Sequence, residues 1–133
     1  MSKILIVDDD PDLVLLISEL LRTEGYDVEA VMQSLRVYDR AKESTPDLLV
    51  LDIRMPYLDG WDELKLLHLD AELRNVPVII ITSDGKAFER VDNAARYGVV
   101  DYLFKPFELN DLLAKVRNAL IAKSQHTRLA AGE

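Results

Sequence analysis

Leu48, Leu49, Val50 and Leu51 form an unbroken apolar run that stops at a carboxylate, Asp52. The run is too short for a helix, and a strand with one face in water would alternate apolar with polar. It therefore predicts a parallel strand covered on both faces. Past it, Pro56 fixes one backbone angle and Gly60 permits a sharp reversal, so a loop is expected to lead into the next helix. Asp52 should thus sit where a buried strand surfaces. In open parallel sheets that edge is where ligands bind.

The same device recurs along the chain. Ile4 to Val7 is a second buried run, ending in Asp8, Asp9 and Asp10, and Asp10 followed by Pro11 suits a helix N-cap and first helical position. Leu13, Leu16, Ile17, Leu20 and Leu21 recur at helical spacing, and Gly25 is placed to close that helix in a left-handed conformation. Tyr26 to Ala30 alternates apolar with acidic, as a strand near a sheet edge does. Ser34 caps a second predicted helix carrying Leu35, Tyr38 and Ala41, and Trp61, Leu64, Leu67 and His68 mark a third. Val78 to Ile81 is a fourth strand ending at Thr82, with turn residues Ser83, Asp84 and Gly85 after it. Phe88, Val91, Ala94 and Ala95 give a fourth helix, which Gly98 stops. Tyr102 to Phe104 is a fifth strand ending at Lys105-Pro106, and Leu109, Leu112, Leu113, Val116 and Leu120 stripe the last helix. From Ser124 the residues are polar and small, so 1–123 reads as one domain and 124–133 as a frayed tail or the start of a linker.

Five alternations of strand and helix predict an α/β fold, a single doubly wound parallel sheet with helices on both faces. A length of 133 residues fits one such domain. The net charge of -8 repels a phosphate backbone, so direct nucleic acid binding is not expected. The absence of cysteine removes disulfides, thiolate metal sites and cysteine nucleophiles. No apolar stretch approaches the roughly 20 residues of a membrane span, and the amino terminus has too short an apolar run for a secretory signal, which makes a cytoplasmic location the expectation.

Right-handed crossovers place every strand's C-terminal end on one edge, gathering Asp8, Asp9, Asp52, Thr82 and Lys105 at one rim. Converging carboxylates persist only where protons or a cation neutralise them. An oxygen-only ligand set favours a hard ion, Mg2+ or Mn2+, over zinc. Such an ion keeps room for phosphate oxygens, lysine is a compact charge suited to a phosphoryl oxygen, and the threonine hydroxyl can donate to another. What remains is an in-line nucleophile, and Asp52 is the candidate.

The residues Ile-Leu-Ile-Val-Asp-Asp-Asp at 4–10, Leu-Asp-Ile-Arg-Met-Pro-Tyr-Leu-Asp-Gly at 51–60, Ile-Thr-Ser at 81–83 and Asp-Tyr-Leu-Phe-Lys-Pro-Phe at 101–107 resemble the receiver domain of two-component response regulators, the CheY-like family. The resemblance covers the chain to about Lys123. It implies the flavodoxin-like strand order 2-1-3-4-5, and it implies that Asp52 accepts a phosphoryl group from a sensor histidine kinase or a histidine phosphotransfer protein. Asp8, Asp9 and Asp52, with the backbone carbonyl of Arg54, would hold Mg2+. Lys105 would pair with the phosphoryl group across a cis peptide to Pro106, with Thr82 and Ser83 beside it. Thr82 would move toward that group and Tyr102 would turn into the space released. The fourth helix, fifth strand and fifth helix would meet a downstream effector, an output domain or a second copy in a homodimer. Such a domain catalyses only its own phosphorylation and dephosphorylation. Phosphorylation shifts a two-state equilibrium by its differential fit to the two states, and a nearly complete switch needs about 5.5 kcal/mol.

Two departures from the family's pattern stand out. Ser83 stands where alanine or glycine is commonest, and Val99 and Val100 stand where a small and an acidic residue are usual. Arg54 and Asp84, variable in the family, would tune the lifetime of the phosphorylated state.

Other chemistries fit less well. Asp8, Asp10, Asp12 and Glu19 fall at calcium-loop positions, but Leu13 occupies the place that needs glycine. An aspartate-nucleophile, Mg-dependent phosphatase usually carries a second acid two residues after the nucleophile, where this chain has Arg54. A degenerate receiver acting only as a binding module would lack site residues that are all present here. His68 and His126 have no metal-ligand spacing, and Trp61 and Phe88 read as packing residues.

Overall fold

Five short strands form one parallel sheet: β1 (Lys3–Val7), β2 (Asp27–Val31), β3 (Leu48–Asp52), β4 (Val78–Thr82) and β5 (Val99–Phe104). Their order is β2-β1-β3-β4-β5, the flavodoxin-like arrangement expected from the resemblance. The computed structural model describes residues 1–32, 37–55, 58–83 and 95–130. Ser34 and Leu35, Pro56, the turn at Asp84 and Gly85, and the fourth-helix residues Phe88, Val91 and Ala94 lie outside the described residues, as do 131–133.

The period of two along each strand divides the core. Leu5, Val7, Leu49, Leu51, Val78 and Ile80 face one side, where Val37 and Ala41 of α2 (Val37–Ser44) and Trp61, Leu64 and Leu67 of α3 (Gly60–Leu69) pack on them. Ile4, Ile6, Leu48, Val50, Ile79 and Ile81 face the other, against α1 (Pro11–Thr23) and the C-terminal helix Leu109–Ala130. Every residue of β3 and β4 is buried, the physical meaning of an unbroken apolar run.

Local signals set the element ends. Asp10 caps α1 by accepting from the amides of Asp12 and Leu13, with Pro11 in the first turn. At the other end Gly25, at φ +93°, lets its amide bond back to the Arg22 carbonyl and the Tyr26 amide to the Leu21 carbonyl. Of the predicted stripe of α1, Ile17 and Leu21 are buried and Leu13 and Leu20 pack partly buried against the core, while Leu16 is 48% exposed. Val14 and Ser18, outside the predicted set, are also buried, because leucines alone do not mark every position that faces the sheet.

Four further differences concern lengths and turns. Gly60 makes no reversal; it begins α3, and a Cβ there would stand 2.8 Å from Ile53 Cα and 2.9 Å from the Ile53 carbonyl oxygen, so close backbone approach is what requires glycine. The stretch before it carries a two-strand antiparallel ribbon, Arg54–Met55 against Leu58–Asp59, where a plain loop was expected. β5 begins at Val99, earlier than the apolar run at Tyr102 indicated. The C-terminal helix does not fray at Ser124 but continues to Ala130. Among the described residues, ion pairs fasten it from Lys115 to Asp101 at 2.7 Å, Arg117 to Glu24 at 3.0 Å and Lys123 to Asp47 at 3.0 Å.

Candidate functional site

Because all five strands run the same way, the residues that follow β1, end β3 and β4, and follow β5 meet at one rim. Asp8 continues β1, its amide donating to the Val31 carbonyl at 3.2 Å, and it is fully buried. Asp52 ends β3 at 4% exposure, and Thr82 ends β4 at 1%. The Lys105 amide donates to the Thr82 carbonyl at 2.9 Å, which carries the chain from β5 past the end of β4. The Lys105–Pro106 peptide is cis.

Side chains converge from these ends. Carboxylate oxygens of Asp8, Asp9 and Asp52 lie within 4.8 Å of one another. Asp8 and Asp52 are buried, whereas Asp9 is exposed. Lys105 Nζ donates to Asp52 Oδ2 at 3.0 Å and stands 2.8 Å from Asp8 Oδ2, the latter a charge contact outside hydrogen-bond alignment. Asp52 Oδ1 accepts from the Arg54 amide at 3.0 Å, and Asp8 Oδ1 accepts from the Asp10 amide at 2.9 Å. Asp10 itself caps α1, so it serves the helix and not the cluster.

Burial is the largest influence on Asp52 and pushes its carboxyl up. The Arg54 amide and Lys105 pull it down, the Asp8 charge pushes it up again, and the outcome is a raised value. Burial pulls the Lys105 ammonium down, but its contacts with Asp8 and Asp52 outweigh that and leave it raised. At this separation each ionised carboxylate pair repels by on the order of 3–4 kcal/mol at an effective dielectric constant of about 20. One lysine against three carboxylates leaves two negative charges uncompensated, which matches a divalent cation. The ligand atoms are all oxygens, a donor set that suits Mg2+ or Mn2+.

Of the remaining candidates, some lie beside this cluster and others away from it. Ser83 and Lys105 share a cleft of about 470 Å3 with Leu13, Leu16 and Phe107, so Ser83 lies on the approach to the lysine. Tyr102 sits on β5, half-buried against the core on the α2–α3 face, and burial raises its phenol. Arg54 is exposed in the ribbon just past Asp52. Val99 is buried and Val100 is 54% exposed, so only one of the two valines adds to the apolar outer surface of β5. Trp61 is buried in the core, and His68 packs edge-on to Tyr97 with ring centroids 5.7 Å apart. Sequence reading missed Asp59, whose side chain accepts from the Trp61 amide at 2.9 Å and caps α3. An aspartate directly before the glycine that opens a helix was the available signal.

Residues 4–117 match the family model described as the response regulator receiver domain. The DNA-binding dual master transcriptional regulator RpaA of Synechocystis sp. is 34% identical over 131 residues, 98% of this chain and 54% of that protein. The transcriptional regulatory protein CpxR of Escherichia coli is 40% identical over 120 residues, 90% of this chain and 50% of that protein. The chain therefore spans about half the length of these curated relatives. Among solved structures, the receiver domain of the Francisella response regulator 1452 superposes with a TM-score of 0.79 at 28% identity, covering 92% of this chain and 98% of that one. The chemotaxis response regulator CheY4 of Vibrio cholerae gives 0.80 at 25% identity, covering 90% and 99%. With sheet order, matched span and relatives in agreement, the chain belongs to the receiver domains of two-component response regulators.

Proposed function

We propose that this receiver domain is a phosphoacceptor, taking a phosphoryl group onto Asp52 from a sensor histidine kinase or a histidine phosphotransfer protein. The observation that carries this reading is the meeting of Asp8, Asp9 and Asp52 within 4.8 Å around one lysine. Asp52 offers its carboxylate as nucleophile, and the Arg54 amide on Oδ1 holds that group in one orientation. Lys105 is paired with two carboxylates here; an incoming phosphoryl group gives its ammonium a new anionic oxygen to hold. Asp8, Asp9, Asp52 and the Arg54 carbonyl would hold Mg2+, with Mn2+ a substitute. Bound there, the ion supplies charge neutralisation for the transferring group.

Thr82 and Ser83 complete the phosphoryl-binding set, and the threonine couples to Tyr102 on β5 as the switch. The output side is β5 with the C-terminal helix, where Val100 and Phe104 are 54% and 45% exposed. That face would meet an effector, an output domain or a second copy. We assign the receiver unit to 1–123 and treat 124–130 as a helical extension of it. The domain's catalysis is limited to its own phosphorylation and dephosphorylation, and we place it in the cytoplasm; among the described residues no helix is long and apolar enough to cross a membrane.

The test is incubation with acetyl phosphate and Mg2+ followed by intact mass. Wild-type protein is expected to gain one phosphoryl group and Asp52→Asn none. Wild-type protein that never gains the mass, or a variant that gains it equally, overturns the assignment.

A further inference from the structure

Between α2 and α3, away from the acidic rim, lies a cleft of about 630 Å3 whose walls combine Tyr38, Asp39, Glu63, Leu66, Leu69 and Ala71. Leu66 is 50% exposed and Leu69 76%, an apolar pair on the surface of one helix. Their neighbours are acids whose charges differ in how they are met. Asp70, at the floor, accepts from the Tyr38 hydroxyl at 2.5 Å and from Lys42 at 2.9 Å, so it is satisfied. Lys42 is also shared with Glu72 at 3.2 Å, and Lys65 stands 4.0 Å from Asp62. Asp39 and Glu63 have no cationic partner among the described residues. Glu63 Oε2 is shielded from solvent and accepts no hydrogen bond. Leaving a shielded carboxylate oxygen without a donor costs folding free energy.

We propose that this cleft is a docking site for a protein segment that presents one arginine flanked by aliphatic side chains, the guanidinium between Asp39 and Glu63 and the aliphatic groups on Leu66 and Leu69. Charge complementarity fixes the sign of the occupant. Nucleic acid and anionic membrane surfaces are repelled by the same carboxylates. A bare cation is disfavoured because the cleft offers no cluster of three ligating carboxylates; among the described residues only Asp8, Asp9 and Asp52 form one. Arginine fits better than lysine because its planar fork can serve two carboxylates at once and loses less on leaving water. The exposed leucines call for apolar contact beside the charge, which a peptide supplies and a simple ion does not. The proposal does not depend on phosphorylation of Asp52.

The experiment follows amide shifts of the whole 15N-labelled chain on titration with the acetylated, amidated peptide Ala-Leu-Arg-Ala-Leu-Ala. Shifts are expected to centre on Asp39, Glu63, Leu66, Leu69 and Ala71. Replacing the arginine of the peptide by citrulline, or the protein's acids by Asp39→Asn with Glu63→Gln, is expected to weaken binding at least tenfold. Leu66→Ser with Leu69→Ser is expected to weaken it at least threefold. The acid variants remove repulsion and keep side-chain shape, so they fold; unchanged phosphorylation by acetyl phosphate serves as the control. No binding at millimolar peptide, shifts scattered over other acidic faces, or affinity unaffected by the acid variants each overturns the proposal.

Discussion

Asp70 shows how one side chain can join elements that the sequence keeps apart. It accepts from Tyr38 and Lys42 on α2 and from the Glu72 amide in its own turn, so it ties α2 to the end of α3. The Tyr38 hydroxyl first, then Lys42 and the Glu72 amide, pull its carboxyl down to about 2. A carboxyl depressed on folding contributes stability above its unfolded value, about 3.9, and loses that contribution as pH falls through the folded value. Wild-type protein should therefore exceed Asp70→Asn in urea stability at pH 6, with the gap closing toward pH 2; a gap that stays constant would show that the charge is not what Asp70 contributes. This link was invisible in the sequence because nothing local marks a tyrosine and an aspartate 32 positions apart as neighbours. Asp10, Pro11 and Gly25 were legible because a cap acts within one turn. The acidic rim was legible for another reason: Asp8, Asp52, Thr82 and Lys105 each end or directly follow an apolar run, and Asp9 comes one residue later.

At the level of elements, the start of α3 lies in close backbone contact with Ile53, just past the end of β3. The Gly60 amide donates to the Ile53 carbonyl at 3.1 Å, and a methyl group at Gly60 would meet Ile53 backbone atoms that cannot rotate away. Gly60→Ala is expected to cost about 1–3 kcal/mol in thermal or urea unfolding. Trimming Ile53→Val removes only the 2.7 Å contact with Cδ1, so the double variant should recover a fraction of that loss. Full recovery would place the conflict in the side chain instead. Sequence reading saw a glycine and inferred a turn, since a one-letter pattern does not distinguish backbone freedom from lack of room. The C-terminal helix was cut short for a related reason: its apolar stripe fades at Leu120, whereas helical backbone continues on residues such as Ala122, Lys123 and Gln125 that favour it.

Across the whole molecule, the sheet is a partition between two apolar layers, and its interior strands are covered on both sides. Native-state hydrogen exchange should accordingly be slowest for amides of β1, β3 and β4, with β2 and the outer row of β5 opening sooner. Exchange of Leu49 to Leu51 at the rate of the edge strands would contradict that ordering. The fold class was readable at this scale because alternating runs and stripes leave few topologies once crossovers must be right-handed. Strand order came from the family resemblance and not from the pattern of residues.

One strand has a mechanical side. Asp52 stands at one end of β3, and Asp47, just before its other end, holds both the Lys3 amide at 2.8 Å and the Lys123 ammonium at 3.0 Å. Five residues of extended chain, laddered to neighbours on each side, make a strut about 17 Å long that cannot stretch. A displacement of Asp52 along the strand would therefore be felt at Asp47, where the last helix is anchored at the opposite rim.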